Sequence, residues 1–326
     1  MRNLFKLLPL FLVASLTACS NNAYKEYTIY NCFSADVSLK IKVDKGEEEL
    51  DAIGKATRLF ESLDAISDAY KKRAGVTNIY DLNQTNERLE ISEELYGLLN
   101  SAKQLQNDAH YFNPLVGSLS NAWKEAIKQK EPLRDSVIQE ELTKINSSEL
   151  RLTIEDNKYY AQRIGEALID VGAIAKGYAL DRCYQLLNQL ERDDYLINAG
   201  SSSILFGVNS QKKSGLYTIN LKDASDYYIY GSKCVVSTSG ASQAFEKDNI
   251  KYTHIIDPYT GSAVAKHDTV IVMTNQGQGA LGDVFATSMM MNTIEEIKDI
   301  EIKQGFKALV IDNGKVVYKN SEIKYE

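Results

Sequence analysis

The sequence predicts an α+β protein in which a single domain combines mixed or antiparallel sheets with flanking helices. Strand patterns outnumber the regular strand–helix–strand alternation of a doubly wound fold. Hydrophobic residues make up 44% and charged residues 25% of the chain, as is ordinary for a globular protein. Only four prolines occur, and no Pro-rich linker or repeat divides the chain. One domain over residues 31–326 is therefore the simplest organisation.

The first thirty residues have the pattern of an export signal. Two basic residues precede an apolar run at residues 7–16, which is too short to cross a membrane. The run leads into Cys19 through a sequence that resembles the bacterial lipobox. We therefore expect a signal peptide over residues 1–18, lipidation of Cys19 and a tether over residues 19–30. This anchor would hold the protein at the cell membrane on its extracytoplasmic face; an ordinary cleaved signal with an incidental Cys19 is the alternative.

The first half of the chain alternates between strand and helix patterns. Apolar and polar side chains alternate over residues 27–43, which predicts a strand. Apolar residues at helical spacing predict an amphipathic helix over residues 47–72. A polar loop follows, and Ser92 then caps a second helix that ends near Asp108. A short helix holds Trp123, the only tryptophan.

The second half is richer in strands. Helices are expected at residues 176–190 and after Gly282. The Asn313-Gly314 pair supplies the positive φ angles of a tight turn, so residues 308–318 are expected to form a hairpin. The other expected strands are 150–154, 159–162, 195–198, 204–208, 217–221, 235–237, 252–257 and 270–274.

The overall charge argues against a nucleic-acid partner. The net charge is −7 and the pI is about 5.3, and no basic run stands out. Phosphate backbones attract Lys- and Arg-rich surfaces, which this sequence lacks. An anionic nucleotide would have to be bound locally, through backbone N–H groups, a Lys or a metal.

Three cysteines remain after Cys19, at Cys32, Cys183 and Cys234. They lack the CxxC spacing of zinc or redox sites. A disulfide between two of them is possible outside the cytoplasm, but buried thiols acting as small apolar residues are the preferred interpretation.

Two glycine-marked segments are candidates for anion binding. The first contains Asp170, Gly172, Lys176 and Gly177 and runs from a strand into a helix. Glycines allow close backbone approach, and a Lys near a helix N-terminus suits a phosphate, although the P-loop spacing is absent. The second, residues 198–203, can expose N–H groups and hydroxyls. Taken singly, the first segment is explained better by a tight turn, and the second is explained equally well by a plain loop.

Two further segments carry candidate catalytic and metal-binding residues. His254 lies beside an acidic turn, where an acid/base role and a structural role are both open. Asp283 and Thr287 are four residues apart and share one face of a helix. Their oxygens suit Mg²⁺. Alternatively, Asp283 interacts with the helix dipole and Thr287 bonds back to a carbonyl.

Together, in order and spacing, these segments resemble the ApbE-type FAD:protein FMN transferase family. Residues 170–181 resemble its D-[LF]-G-x-I-A-K-G-x-A-x-D block, and residues 254–261 its H-I-I-D-P-x-T-G block. Residues 283–287 resemble its D-x-x-A-T. The other matching segments are 111–117 with F-D-P-T-V-G-P-L, 195–203 with L-I-N-A-G-G and 237–240 with T-S-G.

The resemblance implies an ApbE-like fold with a T-fold-like core, a reaction and a set of site residues. Mg²⁺ would be bound by Asp283, Thr287 and the Ala173 carbonyl. A Ser/Thr hydroxyl of an acceptor protein would attack the FMN-side phosphorus of FAD and release AMP, with His254 as a candidate proton acceptor. The residues implied to contact FAD are Tyr111, Phe112, Asn113, Asp170, Lys176, Thr238, Ser239, Gly240, Ile256 and Asp257.

The sequence departs from the family pattern at several positions. Asn113 replaces the Asp of F-D-P-T, and Ser201 and Ser203 replace the second Gly and the Asp after N-A-G. Residues 241–243 replace the aromatic residue that often follows T-S-G-D, and residues 33–35 lack the Met-x-Thr signature. These changes concern the flavin contacts more than the metal site.

The same residues leave other functions open. An FAD pyrophosphatase would use the same site with water as acceptor, and no feature of the sequence separates it from a transferase. A non-catalytic FAD-binding lipoprotein would not need the Asp283 and Thr287 pair. Residues 239–242 also resemble a sequence that such enzymes modify, but a loop of the enzyme's own site explains them better.

Overall fold

A computed structural model describes residues 23–43, 50–220 and 228–324. Its helices are α1 (Leu50–Ser67), α2 (Ile79–Asn83), α3 (Glu93–Asp108), α4 (Gly117–Gln129), α5 (Asp135–Asn146), α6 (Ala175–Gln189), α7 (Gly279–Ser288) and α8 (Ile294–Gln304), with a 3₁₀ turn at Met289–Met291. Its strands are β1 (Ala23–Cys32), β2 (Ala35–Val43), β3 (Leu89–Ile91), β4 (Glu149–Glu155), β5 (Lys158–Ile164), β6 (Tyr195–Ala199), β7 (Ser203–Phe206), β8 (Tyr217–Asn220), β9 (Tyr228–Gly231), β10 (Cys234–Gly240), β11 (Ala244–Lys247), β12 (Ile250–Thr253), β13 (Thr269–Asn275), β14 (Lys307–Asp312) and β15 (Lys315–Lys319).

An eight-stranded sheet forms the centre of the fold. Its strand order is β1-β2-β6-β7-β10-β13-β14-β15, and every neighbouring pair is antiparallel. Smaller sheets are formed by β3-β5-β4, by β8-β9 and by β11-β12. The helices and antiparallel sheets confirm the α+β class that the sequence predicts.

The two faces of the central sheet are covered by different parts of the chain. Side chains alternate along each strand, so on β13 Val270 and Val272 join the core under the helices, whereas Ile271 joins a second cluster. The second cluster contains Tyr217 of β8 and Ile229 of β9. The helices therefore lie on one face and the β8-β9 hairpin on the other.

Helix α7 lies between α6 and the strands β10 and β13. Eight of its ten residues, Asp283 among them, are buried, since this helix is enclosed on most sides. Helix α1 in turn packs on the outer side of α6. This layering fixes the start of α7 against the start of α6, one turn before the predicted metal ligand Asp283.

The structure corrects the prediction at the N-terminus of the domain. The expected single strand over residues 27–43 is a hairpin, because the chain turns at Phe33 and Ser34, which both have positive φ. Strand β1 begins at Ala23, so residues 23–30 belong to the central sheet and not to a tether. The predicted signal peptide over residues 1–18 and the predicted lipidation site Cys19 lie outside the described residues.

Most other predicted elements are present with shifted ends, and several were missed. No prediction covered the strands β3, β9 and β11 or the helices α5 and α8, and α2 lies inside the predicted polar loop. Cys32, Cys183 and Cys234 are buried free thiols, as preferred from the sequence. Within the described ranges, none of the helices combines the length and the apolar character that a membrane span requires.

Candidate functional site

A cavity of about 1040 Å³ lies at the edge of the central sheet, beside the start of α6, and Asp283 and Thr287 of α7 line it. Its volume is at the upper end of the range for small-molecule sites. It brings together segments that are distant in the sequence, as the resemblance implied. The predicted site residues in its lining are Tyr111, Phe112, Asn113, Asp170, Ala173, Lys176, Thr238, Ser239, Gly240, His254, Ile256, Asp283 and Thr287.

Glycines let the first turns of α6 and α7 touch backbone to backbone. A Cβ added at Gly177 would lie 2.1 Å from the carbonyl oxygen of Gly279, and one at Gly279 would lie 2.5 Å from that of Gly177. Side chains at these positions would force the helices apart. Gly177 thus allows close backbone approach, here between two helices and not within the tight turn that was the alternative, and this contact brings Asp283 of α7 to the start of α6.

Asp283 is a buried carboxylate held by three donors. Its Oδ2 accepts a hydrogen bond from the Gly177 N–H at 2.6 Å. Its Oδ1 accepts from the hydroxyls of Ser203 and Ser237, each at 2.7 Å. Burial raises its pKa, while the charge of Lys176 and these three hydrogen bonds oppose the rise. The side chain is therefore fixed in one orientation at the cavity wall.

Strand register explains why two serines reach the same oxygen. Ser203 on β7 and Ser237 on β10 are direct cross-strand partners. Partners on one face of an antiparallel pair have their Cβ atoms about 5 Å apart. Both hydroxyls consequently point at the carboxylate of Asp283, and Gly282 allows α7 to approach, since a Cβ there would meet the Ser237 Oγ at 2.8 Å.

Asp283, Thr287 and Ala173 all line the cavity, and a carboxylate, a hydroxyl and a backbone carbonyl are oxygen donors of the kind that a hard divalent cation takes. Thr287 lies one helical turn after Asp283 and faces the cavity. In the described part of the chain, the Thr287 hydroxyl donates to no carbonyl. The structure therefore does not show the alternative in which Thr287 bonds back to a carbonyl of its own helix. Among the described residues, no group of three or more His, Cys, Asp and Glu side chains could hold an ion. A metal here would thus depend on the hydroxyl and the carbonyl.

His254 lies in the cavity wall with one ring nitrogen unsatisfied. Its Nδ1 is buried and has no hydrogen-bond partner among the described residues. Burial lowers the pKa of the ring, a backbone contact with Gln243 opposes this, and Lys124 and Lys176 lower the pKa further. The neutral ring is favoured at neutral pH, and a neutral imidazole can accept a proton.

Asp170 is oriented by its own loop and by a lysine that sequence reasoning missed. Its Oδ1 accepts from the Gly172 N–H at 2.7 Å, and the Lys124 Nζ lies 3.8 Å from its Oδ2. The same Nζ contacts the hydroxyl of Tyr70. Lys124 comes from α4 and was hidden in the sequence among ordinary helix-surface lysines.

The segment around Asn113 keeps its turn despite the departure from the family pattern. The Asn113 Oδ1 accepts from the Leu115 N–H at 2.9 Å, a bond that an Asp would make equally well. The Tyr111 N–H donates to Ser288 Oγ at the end of α7 at 3.2 Å. The loop is therefore tied to the helix that carries Asp283.

Asp257 does not line the cavity, and its predicted contact with FAD stays a prediction. Its Oδ1 accepts from the Tyr259 N–H and its Oδ2 from the Thr260 hydroxyl, both at 2.8 Å. These bonds build the Asp-Pro-x-Thr-Gly turn, and the neighbouring Ile256 and Pro258 face the cavity instead.

Comparisons with known proteins agree with this fold. The model described as the ApbE family matches residues 33–310. A Haemophilus influenzae protein named FAD:protein FMN transferase is 23% identical over 323 residues, covering 89% of this chain and 85% of that protein. A solved ApbE protein from Thermotoga maritima has a TM-score of 0.74 at 20% identity, covering 92% of this chain and 97% of that one. The flavin transferase ApbE from Vibrio cholerae has a TM-score of 0.71 at 19% identity, covering 94% and 97%.

Proposed function

Because this chain belongs to the ApbE family, we propose that it is an FAD:protein FMN transferase that uses Mg²⁺ and modifies a Ser or Thr hydroxyl of an acceptor protein. The observation that carries the proposal is the convergence of Asp283, Thr287, Lys176 and His254 on one cavity. A set of oxygen donors, a cation and a proton acceptor are the groups that transfer of a phosphoryl-linked group requires.

The metal would be held by the Asp283 carboxylate, the Thr287 hydroxyl and the Ala173 carbonyl, with substrate and water oxygens completing its shell. When bound, it would neutralise negative charge on the pyrophosphate of FAD. The two serines and Gly177 keep the carboxylate in place before substrate arrives. Such prior orientation lowers the cost of binding.

Lys176 supplies a fixed positive charge beside the same carboxylate. It occupies the first turn of α6, where the N-terminal backbone amides also favour an anion. We infer that Lys176 and this helix end bind the phosphates between FMN and AMP. Neutralising charge at the leaving phosphate favours cleavage of the P–O bond to AMP.

His254 is the proposed general base. The acceptor hydroxyl attacks the FMN-side phosphorus, its proton passes to the neutral ring, and AMP leaves with its phosphate oxygen. The lowered pKa keeps the ring unprotonated at neutral pH, so it is ready to accept this proton. FMN stays on the acceptor through a phosphoester.

A product assay tests the proposed acceptor. The protein is incubated with FAD and Mg²⁺, with and without an acceptor protein that carries a Ser/Thr flavinylation sequence, and FMN and AMP are quantified. A transferase releases AMP only with acceptor, in equal amount to protein-bound FMN. Equal release of free FMN and AMP without acceptor would instead identify a pyrophosphatase, and FAD that stays intact and bound would identify a flavin-binding protein.

We also propose that Cys19 anchors the protein to the outer surface of the cell membrane. The support is the apolar run followed by the lipobox-like sequence at residues 16–19. When cells are grown with labelled palmitate, the label should be found on the full chain and not on its Cys19→Ala variant. Equal labelling of both would contradict the anchor. Acceptor proteins would accordingly be sought outside the cytoplasm.

A further inference from the structure

The start of α7 lacks a cap of its own. Gln278 occupies its N-cap position and makes no side-chain cap hydrogen bond. The first N–H groups of a helix have no partner within the helix, and leaving them unsatisfied when buried is costly. The neighbouring helix supplies the missing acceptor, because Asp181 of α6 accepts from the Gly279 N–H at 2.5 Å and from the Ala280 N–H at 2.9 Å.

The arrangement is reciprocal. Ile174 at the N-cap position of α6 also makes no side-chain cap bond, and the Gly177 N–H in the first turn of α6 donates to Asp283 of α7. Each helix therefore carries the carboxylate that caps the other. The direct contact between Gly177 and Gly279 brings the two helix starts close enough for both exchanges.

Asp181 is well placed to control the direction of α7. It is buried, and burial raises its pKa to about 6 although its two backbone hydrogen bonds oppose the rise. It touches the first two residues of α7, and Asp283 and Thr287 follow one and two turns later. A helix is stiff over this length, so a shift of its first turn moves both side chains relative to the cavity.

From this geometry we propose that Asp181 is a positioning residue for the metal site: it fixes the first turn of α7 so that Asp283 and Thr287 present their oxygens to the cavity. Asp181 is absent from the cavity lining. The inference rests on the proposed function, because it concerns the same metal site. Residues that orient metal ligands typically contribute about 10- to 100-fold to metal affinity.

Asp194 provides a matched control. It is a buried carboxylate that also accepts several hydrogen bonds, from the Tyr24 hydroxyl at 2.6 Å, the Tyr217 hydroxyl at 3.2 Å and the Ser210 N–H at 3.1 Å. It does not line the cavity. Replacing Asp194 with Asn should lower the free energy of unfolding, because it also removes a buried, hydrogen-bonded carboxylate, and should leave the start of α7 unchanged.

The test measures binding of Mn²⁺ alone to the purified protein, by the paramagnetic resonance signal of the free ion. We expect Asp181→Asn to weaken Mn²⁺ binding by about 10- to 100-fold, and Asp194→Asn to leave it within about twofold while lowering the melting temperature. If Asp181→Asn does not fold, Asp181→Glu keeps the charge and displaces it by one methylene, and a loss of about tenfold is expected there.

The outcomes separate this inference from the proposed function. If the folded Asp181 variant binds Mn²⁺ with the same affinity as the wild type, the positioning role is overturned and the proposed metal site is left intact. Equal weakening by the Asp194 variant would also overturn it, since the loss would then follow from stability alone. Absence of Mn²⁺ binding in the wild type would overturn the proposed metal site and the positioning role together.

Discussion

The contact between the starts of α6 and α7 predicts a large effect from adding one methyl group. In Gly177→Ala, the new Cβ would lie 2.1 Å from the carbonyl oxygen of Gly279, 2.4 Å from its carbonyl carbon and 2.8 Å from the Ala280 nitrogen. Real Cβ atoms essentially never approach closer than 3.0 Å. All three contacts are with backbone, so no side chain can rotate away and the helices must separate by about 1 Å.

The cost can be worked out from these contacts. Overpacking of a well-packed core typically costs about 1–3 kcal/mol. The separation also lengthens the 2.6 Å hydrogen bond from Gly177 to Asp283, and a hydrogen bond to a charged group contributes about 1.5–3 kcal/mol. Replacing Gly with Ala inside a helix also stabilises it by about 1 kcal/mol, because Ala has the higher helix propensity. The net loss in the free energy of unfolding is therefore about 1.5–5 kcal/mol, from the first two terms less the third.

Gly54→Ala is the matched control for this prediction. Gly54 lies in α1, and a Cβ there would have only the Arg58 guanidinium nitrogen within 4 Å, at 3.4 Å. Urea unfolding followed by circular dichroism should show Gly54→Ala as stable as the wild type or more stable by up to about 1 kcal/mol. At substrate saturation, Gly177→Ala should also lose about 100-fold in FMN transfer, because displacement of a catalytic group by 1 Å has that effect.

The reasoning would be refuted by a Gly177→Ala protein that matches Gly54→Ala in both stability and transfer rate. Reduced stability with unchanged transfer would show that the crossing holds the fold together without setting the position of Asp283.

Other perturbations give separate tests. His254→Ala should lower the rate constant of transfer by about 10²–10⁴-fold and preserve FAD binding. In the wild type, the rate should fall only at a pH below 6.5, the ordinary pKa of histidine, because burial lowers the pKa of this ring. Lys124→Gln removes a charge that lowers this pKa, so the acidic limb of the pH–rate profile should move to higher pH. Ser237→Ala should weaken Mn²⁺ binding about tenfold or more, measured by calorimetry, since Asp283 loses a charge-assisted hydrogen bond. His267→Ala should lower the free energy of unfolding by about 1.5–3 kcal/mol, because Asp312 loses its 3.0 Å partner, while FAD binding stays unchanged.

The pH dependence of stability supplies a check on the sign of the His254 shift. A folded-state pKa below 6.5 means that the unfolded chain takes up a proton first. The free energy of unfolding should therefore fall as the pH drops below 6.5. His254→Ala should flatten that slope, and a steeper slope in the variant would contradict a lowered pKa.

Features encoded by neighbouring residues were predictable from the sequence. Ser92 caps α3 by accepting from the Leu95 N–H, as its position before the apolar pattern indicated. The turn at Asn313 and Gly314 has the expected positive φ at both residues. Such signals act over three or four residues and do not depend on tertiary packing.

Features that depend on pairing between distant segments could not be predicted from the sequence. The register that opposes Ser203 and Ser237 is set by two strands whose alignment no local pattern reports. Asp181 and Gly279 are 98 residues apart, and the lack of a cap at Gln278 could not show which residue replaces it. Asp257 was assigned to the site through the resemblance of residues 254–261 to the family block, and that block could not show that its carboxylate completes a turn.

The proposed reaction is tested most directly by the mass of the acceptor protein after incubation with this protein, FAD and Mg²⁺. A gain equal to FMN less one water on a Ser or Thr, abolished by a chelator and by Asp283→Ala, is the expected result. An unmodified acceptor, with the wild-type protein folded and FAD bound, would contradict the transferase assignment.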